Sequence, residues 1–250
     1  MKPKISIITA TYNSAATVRD TLLSVSVQDY PHKEHIIIDG ASADQTLDIV
    51  KQFRHVSHVV SERDKGIYDA MNKGVAAATG EVIGILNSDD LYVHTRVLSN
   101  VMKAFENPQV DVVYADLQYV RADNLNKVTR TWRSGNYSRK KFYYGWMPPH
   151  PTVFLRKNVY DAVGNFNTEL KSAADYEFLL RVLLKYDHHV HYMPEIIVKM
   201  RTGGISNATF QHRLRANRED RQAWRMNNMR PYFFTIPFKP LRKVFQFINK

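Results

Sequence analysis

Glu81-Val82-Ile83-Gly84-Ile85-Leu86-Asn87-Ser88-Asp89-Asp90 is the stretch on which the reading of this 250-residue chain turns. Its first six residues form an apolar run that four polar ones end abruptly. Such a run predicts a strand buried in a sheet, and its C-terminal end is where open α/β sheets bind ligands. Two adjacent carboxylates at that rim repel one another unless a cation neutralises them. A hard divalent ion, Mg2+ or Mn2+, suits them, because it takes oxygen ligands and keeps positions open for phosphate oxygens. Taken alone, the tetrapeptide reads more simply as an Asp-rich turn, since Asn, Ser and Asp are ordinary turn residues. The rest of the chain reverses that preference.

Working outward, the first hundred residues alternate strand-like and helical patterns. Ile5 to Ala10, His35 to Ile38 and Val56 to Val60 read as strands. Asn13 or Ser14 is placed to cap a helix through Val18, Leu22 and Val25, and Ser42 or Asp44 one through Leu47, Ile49 and Val50. Ile67 to Ala78 reads as a third helix, with Gly80 just past its end. This β-α repetition predicts an α/β fold with a mostly parallel central sheet flanked by helices. After residue 110 the rhythm changes. Asp111 to Tyr114, Leu117 to Arg121 and Thr152 to Arg156 read as strands, and Asp123 to Ser138 as a polar, turn-rich excursion. Tyr176 to Leu184 carries a helical apolar stripe.

Hydrophobic residues make up 44% and charged ones 24%, an ordinary globular balance, and the length allows one core with an appendage. Cysteine is absent, which excludes disulfides and thiolate metal sites and fits a reducing compartment. No run of about eighteen apolar residues occurs, so no membrane-spanning helix is predicted. Of the net charge of +11, residues 201–250 carry +9, from eleven Lys/Arg against Glu219 and Asp220. A charge so concentrated suits an anionic partner for that segment, and the remainder gives no reason to expect nucleic acid.

No G-x-G-x-x-G follows the first strand, where Thr9-Ala10-Thr11-Tyr12-Asn13-Ser14 stands, and no G-x-x-x-x-G-K-[ST] occurs anywhere. Phosphate is then left to a metal and basic side chains. Asp39 closes the second strand, at the rim that Asp89 and Asp90 share in a parallel sheet. A carboxylate there accepts from a nucleobase N–H or ribose hydroxyl; a plain Asp39-Gly40 turn is the other reading.

Five segments occur in order: Thr9-Ala10-Thr11-Tyr12-Asn13, Ile38-Asp39-Gly40-Ala41-Ser42-Ala43-Asp44-Gln45-Thr46, Ser61 through Gly74, Ala78-Thr79-Gly80-Glu81 and Leu86-Asn87-Ser88-Asp89-Asp90. In them the chain resembles the family 2 glycosyltransferases of the GT-A fold, close to bacterial enzymes that build capsule, exopolysaccharide or lipopolysaccharide. The likeness is dense over residues 4–91 and patchier to about 206, through His150-Pro151-Thr152, Ala174-Asp175-Tyr176-Glu177 and Gly203-Gly204-Ile205-Ser206. It implies a nucleotide-sugar donor, with UDP as the first choice, a saccharide or polyprenyl-linked acceptor, and Mg2+ or Mn2+. By the same resemblance Asp90 binds the metal and Asp89 contacts the ribose, while Thr9, Ala10, Tyr12 and Asp39 hold the nucleoside. Asp64 and Lys65 border the donor, and Asn87 opens the metal motif where the family has Asp.

Asp175 matches the family's general base for inverting transfer, although Ala174 stands where the family often has Glu. Read from residues alone, Ser172-Ala173-Ala174-Asp175 is a capping box, and only the resemblance turns Asp175 into the base, with Glu177 as the fallback. His150 reads as a structural histidine. Arg201 with Gly203-Gly204 reads either as a flap over the diphosphate or as a strand-end turn.

At 100° per residue, Phe238, Leu241, Val244, Phe245 and Ile248 share one face, and Lys239, Arg242, Lys243 and Lys250 fall opposite. Such a helix over residues 237–250 suits an anionic membrane surface, or packs on the parent domain or a second subunit. The expectation is a GT-A domain over residues 1–205 and a basic amphipathic extension over 206–250, in the cytoplasm and peripheral at the inner membrane face. Two alternatives stay open. A sugar-nucleotidyltransferase needs a glycine-rich basic signature that Thr9 to Ser14 lacks, and the charge suggests a non-enzymatic membrane- or nucleic-acid-binding module.

Overall fold

The structure, a computed structural model, describes residues 2–203 and 210–248; the side chains of residues 210–213 and 243–248 are outside what is described. Gly204, Ile205, Ser206, the 205/206 boundary and the tail's Val244, Phe245 and Ile248 side chains thus lie outside the described residues. The first half runs β1 (Ile5–Thr11), α1 (Val18–Ser26), β2 (Lys33–Asp39), α2 (Thr46–Val50), β3 (Val56–Ser61), α3 (Ile67–Ala77), β4 (Val82–Ile85), β5 (Asp90–Tyr92) and α4 (Val97–Ala104). The second runs β6 (Val112–Arg121), β7 (Asn124–Trp132), α5 (Arg139–Tyr143), β8 (Phe154–Arg156), α6 (Lys157–Val163), α7 (Ala174–Leu179), β9 (Val190–Arg201), α8 (Phe210–Met226) and α9 (Thr235–Ile248).

Strand order is β3-β2-β1-β4-β8-β6-β9-β5, with β7 paired to β6 off that path. The strands β3-β2-β1-β4 are parallel, as the β-α repetition requires. Beyond them β8 runs antiparallel to both β4 and β6, and β5 antiparallel to β9, so the sheet as a whole is mixed. β1 is buried along its whole length because helices cover both faces. Its side chains alternate: Ile8 and Ala10 enter one core with Met71, Val75 and Phe178, and Ile5 and Ile7 enter the other with Val25, Val97 and Val101. Gly74 lets α3 lie close on β1, since a Cβ there would fall 2.3 Å from Ile8 Cγ2. That approach brings the start of α3, and Asp64-Lys65-Gly66 before it, to the sheet's C-terminal rim.

Three elements differ from expectation. α1 begins at Val18 because Asn13 and Ser14 do other work: Asn13 adopts φ 46°. Its Oδ1 accepts from the Ala43 N–H, and the Ser14 carbonyl accepts from the Thr17 and Val18 N–H groups. Much of the polar excursion is strand β7, which buries Arg130 and Thr131 against β6. A neighbouring strand supplies that burial, which local composition does not register. The Tyr176 helix is α-helical only to Leu179 and continues as a π-helical turn over Leu180–Lys185.

α8 and α9 close over α7. Trp224 is fully buried, its Nε1 donating to the Tyr176 hydroxyl at 2.9 Å. Lys239 Nζ lies 2.6 Å from Asp220 Oδ1 and 3.5 Å from the centre of the Tyr176 ring. The tail's expected division of faces therefore changes at Lys239, which turns its charge toward the domain while Phe238 and Leu241 are exposed.

Candidate active site

Parallel strands end together, so the loops after β1, β2 and β4 meet at one rim. Asn13 N–H donates to Ser42 Oγ at 2.8 Å, Ser14 N–H to Thr46 Oγ1 at 2.7 Å, and Ser14 Oγ lies 2.9 Å from Ser88 Oγ. These bonds join the three loops into one network, with Asp39 on one side and Asp89-Asp90 on the other.

Asp39 is the hub of the β2 loop. Its buried carboxylate accepts from Thr11 Oγ1 at 2.9 Å, Ser42 Oγ at 2.5 Å, Ser42 N–H at 2.9 Å and Ser61 Oγ at 2.8 Å. Burial pushes its pKa up, but these donors outweigh burial and hold it below the usual carboxylate range. Its lone pairs are turned to protein donors. Thr9 likewise faces inward, its Oγ1 3.0 Å from Nε2 of His35, which burial and neighbouring His55 bring down to about 3 and so keep neutral. Ala10 is buried, whereas the Tyr12 ring is 65% exposed at the rim. Between Tyr12 and Asp64 lies Gly40: a Cβ there would fall 2.6 Å from Asp64 Oδ2 and 3.3 Å from Tyr12 Cδ2. Asp64 accepts from the Gly66 N–H at 2.8 Å, and Gly66, at φ 120°, is confined to a conformation that favours glycine. The Lys65 side chain is exposed beside it.

The acid turn after β4 is braced on its backbone. Thr21 Oγ1 donates to the Asp90 carbonyl at 2.7 Å, and Arg201 Nη1 to the Asp89 carbonyl at 2.8 Å. Arg201 also pairs with Asp20, so its guanidinium braces the acid turn against α1. Asn87 Nδ2 donates to Asp90 Oδ2 at 2.9 Å, yet Asn87 Oδ1 and Asp90 Oδ1 are buried without a hydrogen-bond partner among the described residues. Burial, and then repulsion from Asp89, raise the Asp90 pKa far above the ordinary carboxylate value, and burial raises that of Asp89. Two unpartnered oxygens beside a destabilised carboxylate fit a hard divalent cation. Among the described residues no group of three or more His, Cys, Asp or Glu forms a cage. Such an ion would take most of its ligands from water and phosphate, as Mg2+ does.

A second group of polar side chains comes from α3 and α7. Tyr68 donates its hydroxyl to Asp175 Oδ1 at 3.2 Å. Asn72 clamps the loop leading to Asp175, donating to the Phe166 carbonyl and accepting from the Phe166 N–H, both at 2.9 Å. Asp175 does not close a capping box. The N–H groups of Ser172 and Ala173 go instead to Glu219 Oε2, at 2.7 and 3.1 Å. Glu177 is committed elsewhere, buried against Arg181 at 2.9 Å and Asn227 at 2.9 Å, so it is no fallback base. The His150 ring packs edge-on to Phe166, its pKa lowered by burial although nearby Asp175 pulls it up. Tyr68 was assigned no role from sequence, although it stands inside the Ile67-Tyr68-Asp69 segment that carries the resemblance.

Residues 6–164 match the family described as Glycosyl transferase family 2. The chain belongs to that family. A PGL/p-HBAD biosynthesis glycosyltransferase of Mycobacterium tuberculosis, Rv2957, is 30% identical over 213 residues, which are 82% of this chain and 80% of that one. Among solved structures, Staphylococcus aureus TarS 1–349 in complex with UDP-GlcNAc superposes with a TM-score of 0.72 at 21% identity, over 90% of this chain and 65% of that one. The mannosyltransferase PcManGT of Pyrobaculum calidifontis, in complex with GDP-Man and Mn2+, gives 0.68 at 20% identity, over 97% of this chain and 70% of that one. The fold is thus the GT-A-like α/β fold of this glycosyltransferase family, with a mixed sheet flanked by helices. Family membership favours a transferase over the nucleotidyltransferase and binding-module alternatives.

Proposed function

We propose that this family 2 glycosyltransferase moves a sugar, with inversion, from a UDP-sugar to a saccharide or lipid-linked acceptor in the building of bacterial surface glycans. The observation that carries the reading is a pair of unlike acids: Asp90, which with Asn87 offers oxygens unpartnered among the described residues, and Asp175, steadied by Tyr68. Asn87 and Asp90 would hold Mg2+ or Mn2+; when bound, the ion supplies positive charge to the departing diphosphate. Asp89 faces the ribose, and Tyr12, Asp64 and Lys65 border the nucleotide. Thr9, Ala10 and Asp39 act from behind, by fixing the loops that shape its pocket.

Asp175 takes the proton from the acceptor hydroxyl as that oxygen bonds to the anomeric carbon. The bond from that carbon to the phosphate oxygen breaks, and its electron pair leaves with the nucleoside diphosphate. Attack from the face opposite the leaving group inverts the anomeric centre.

Residues 206–250 serve in this reading as an extension that rests the enzyme on the cytoplasmic face of the membrane. Supporting it, Tyr232, Phe233, Phe238 and Leu241 of this segment are exposed, as is Tyr144 beside Tyr232, and the segment has ten Lys/Arg against Glu219 and Asp220. Among the described residues no helix is long and apolar enough to cross a membrane.

The test is a panel of nucleotide sugars examined for thermal stabilisation with and without Mn2+. Stabilisation by one of them that depends on the ion is expected. No ion-dependent shift with any donor removes the proposal.

A further inference from the structure

One row of side chains crosses four strands beside the acid turn. Asp90 on β5 registers with Met200 on β9, Met200 with Tyr119 on β6, and Tyr119 with Arg130 on β7. Register partners point to the same face of a sheet, and neighbouring strands lie about 4.8 Å apart. Tyr119 therefore stands about 10 Å, two strands, from Asp90 and on its side of the sheet. The Arg130 guanidinium sits over the Tyr119 ring, its Cζ 3.7 Å from the ring centre, and is almost wholly buried. A cation so placed holds the ring and lends its charge to the neighbourhood. Thr129 Oγ1 donates to the Tyr119 carbonyl at 3.1 Å, fixing the two strands against each other at this point. Burial raises the Tyr119 pKa and Arg130 lowers it, while Asp90 and Asp175 both push it up. Asp90 and Asp175 are thus both within electrostatic reach of this one phenol.

We propose that Tyr119, positioned by Arg130, donates a hydrogen bond to the terminal phosphate of the bound nucleoside diphosphate and so stabilises it as a leaving group. A phenol is a donor at neutral pH, and the oxygen that departs from the anomeric carbon gains negative charge as it leaves. The inference rests on the donor-site reading above and adds a contact within it.

The test compares wild type with Tyr119→Phe, which keeps the ring under Arg130, by calorimetric titration in Mn2+ with UDP and GDP and with UMP and GMP. The expected result is about tenfold weaker binding of the diphosphate that wild type takes, with the matching monophosphate unchanged. Arg130→Lys is expected to fall in between, since it keeps charge but not the flat stacking surface. Equal diphosphate affinity in wild type and Tyr119→Phe overturns this inference and leaves the donor reading in place. A loss equal for diphosphate and monophosphate also overturns it, because it marks a general disturbance of the pocket. Failure of wild type to bind any of the four nucleotides overturns the donor reading itself, and this inference with it.

Discussion

The Tyr68 hydroxyl reaches Asp175 Oδ1 at 3.2 Å across 107 positions of sequence, so α3 orients the α7 carboxylate that we propose as the base. Asp175→Asn is expected to lower transfer by about 10³-fold, within the range of a lost general base, while nucleotide binding is kept. Tyr68→Phe, losing one orienting hydrogen bond, is expected to lower kcat about tenfold. Steady-state rates and nucleotide titration on the same samples check both; near-normal turnover of Asp175→Asn removes it as the base.

Asp90 is fully buried, lacks a partner for Oδ1 among the described residues and is repelled by Asp89. Asp90→Asn is therefore expected to stabilise the metal-free protein by about 1 kcal/mol or more. In a chain of this size that is a rise in Tm of about 2–4 °C. The same change should abolish the extra stabilisation that Mn2+ and nucleotide give together. Thermal melts with and without Mn2+ separate the two effects, and a lower metal-free Tm contradicts the account.

Glu34 joins β1, β2 and the turn before β4. It accepts from Ser6 at 2.5 Å and from the Thr79 N–H at 2.8 Å, and it pairs with Lys4 at 2.6 Å. Burial pushes its pKa up, but the bonds from Lys4, Ser6 and Thr79 prevail and bring it down to about 2. A depressed carboxylate contributes stability that is fully present above its unfolded value and is lost as pH falls through its folded one. Glu34→Gln is expected to cost about 1–3 kcal/mol at pH 7. The gap between wild type and variant should narrow from pH 4.5 toward pH 2. Denaturant midpoints taken at several pH values check this, and a gap that widens on acidification contradicts it.

Phe233 is 93% exposed and stacks edge-on to Phe234, 5.2 Å between ring centres. A phenylalanine gains about 1.5–3 kcal/mol on leaving water, so Phe233→Ser should weaken binding to anionic phospholipid vesicles about tenfold or more. Activity on a water-soluble acceptor should be kept. Vesicle cosedimentation is the measurement, and unchanged binding with a shift from dimer to monomer would assign the patch to a second copy instead.

Much of the first half was legible because local pattern and tertiary role agree there. Buried parallel strands need continuous apolar runs, and the runs ending at Thr11, Asp39 and Leu86 place their polar successors at one rim. The second half reads less well because its strands depend on partners. β7 is polar in sequence and becomes a strand by pairing with β6, so Arg130 looks like a loop residue until Tyr119 lies beneath it. At the site, residue types carried more than residue roles. Asp39 and Thr9 stand where the pattern places them, yet their polar atoms are engaged with Ser42, Ser61 and His35. Hydrogen-bond saturation is a property of the assembled fold, and no spacing in the sequence reports it. Asp175 was ambiguous for the same reason, since the competing cap is supplied by Glu219, more than forty positions away.

Glu219 and Asp220, the two acids of the basic segment, are consecutive on α8 and serve different neighbours. One receives the N–H groups that precede α7, and the other grips Lys239. A chain shortened at residue 230 would strip that cation from Asp220 and from the face of Tyr176, the residue next to Asp175. Lost turnover in the clipped protein would then mix a slackened α7, which carries the proposed base, with loss of the proposed membrane anchor. Single replacements at Phe233 or Leu241, which leave the latch fastened, are the sharper instruments for asking what the tail holds on to.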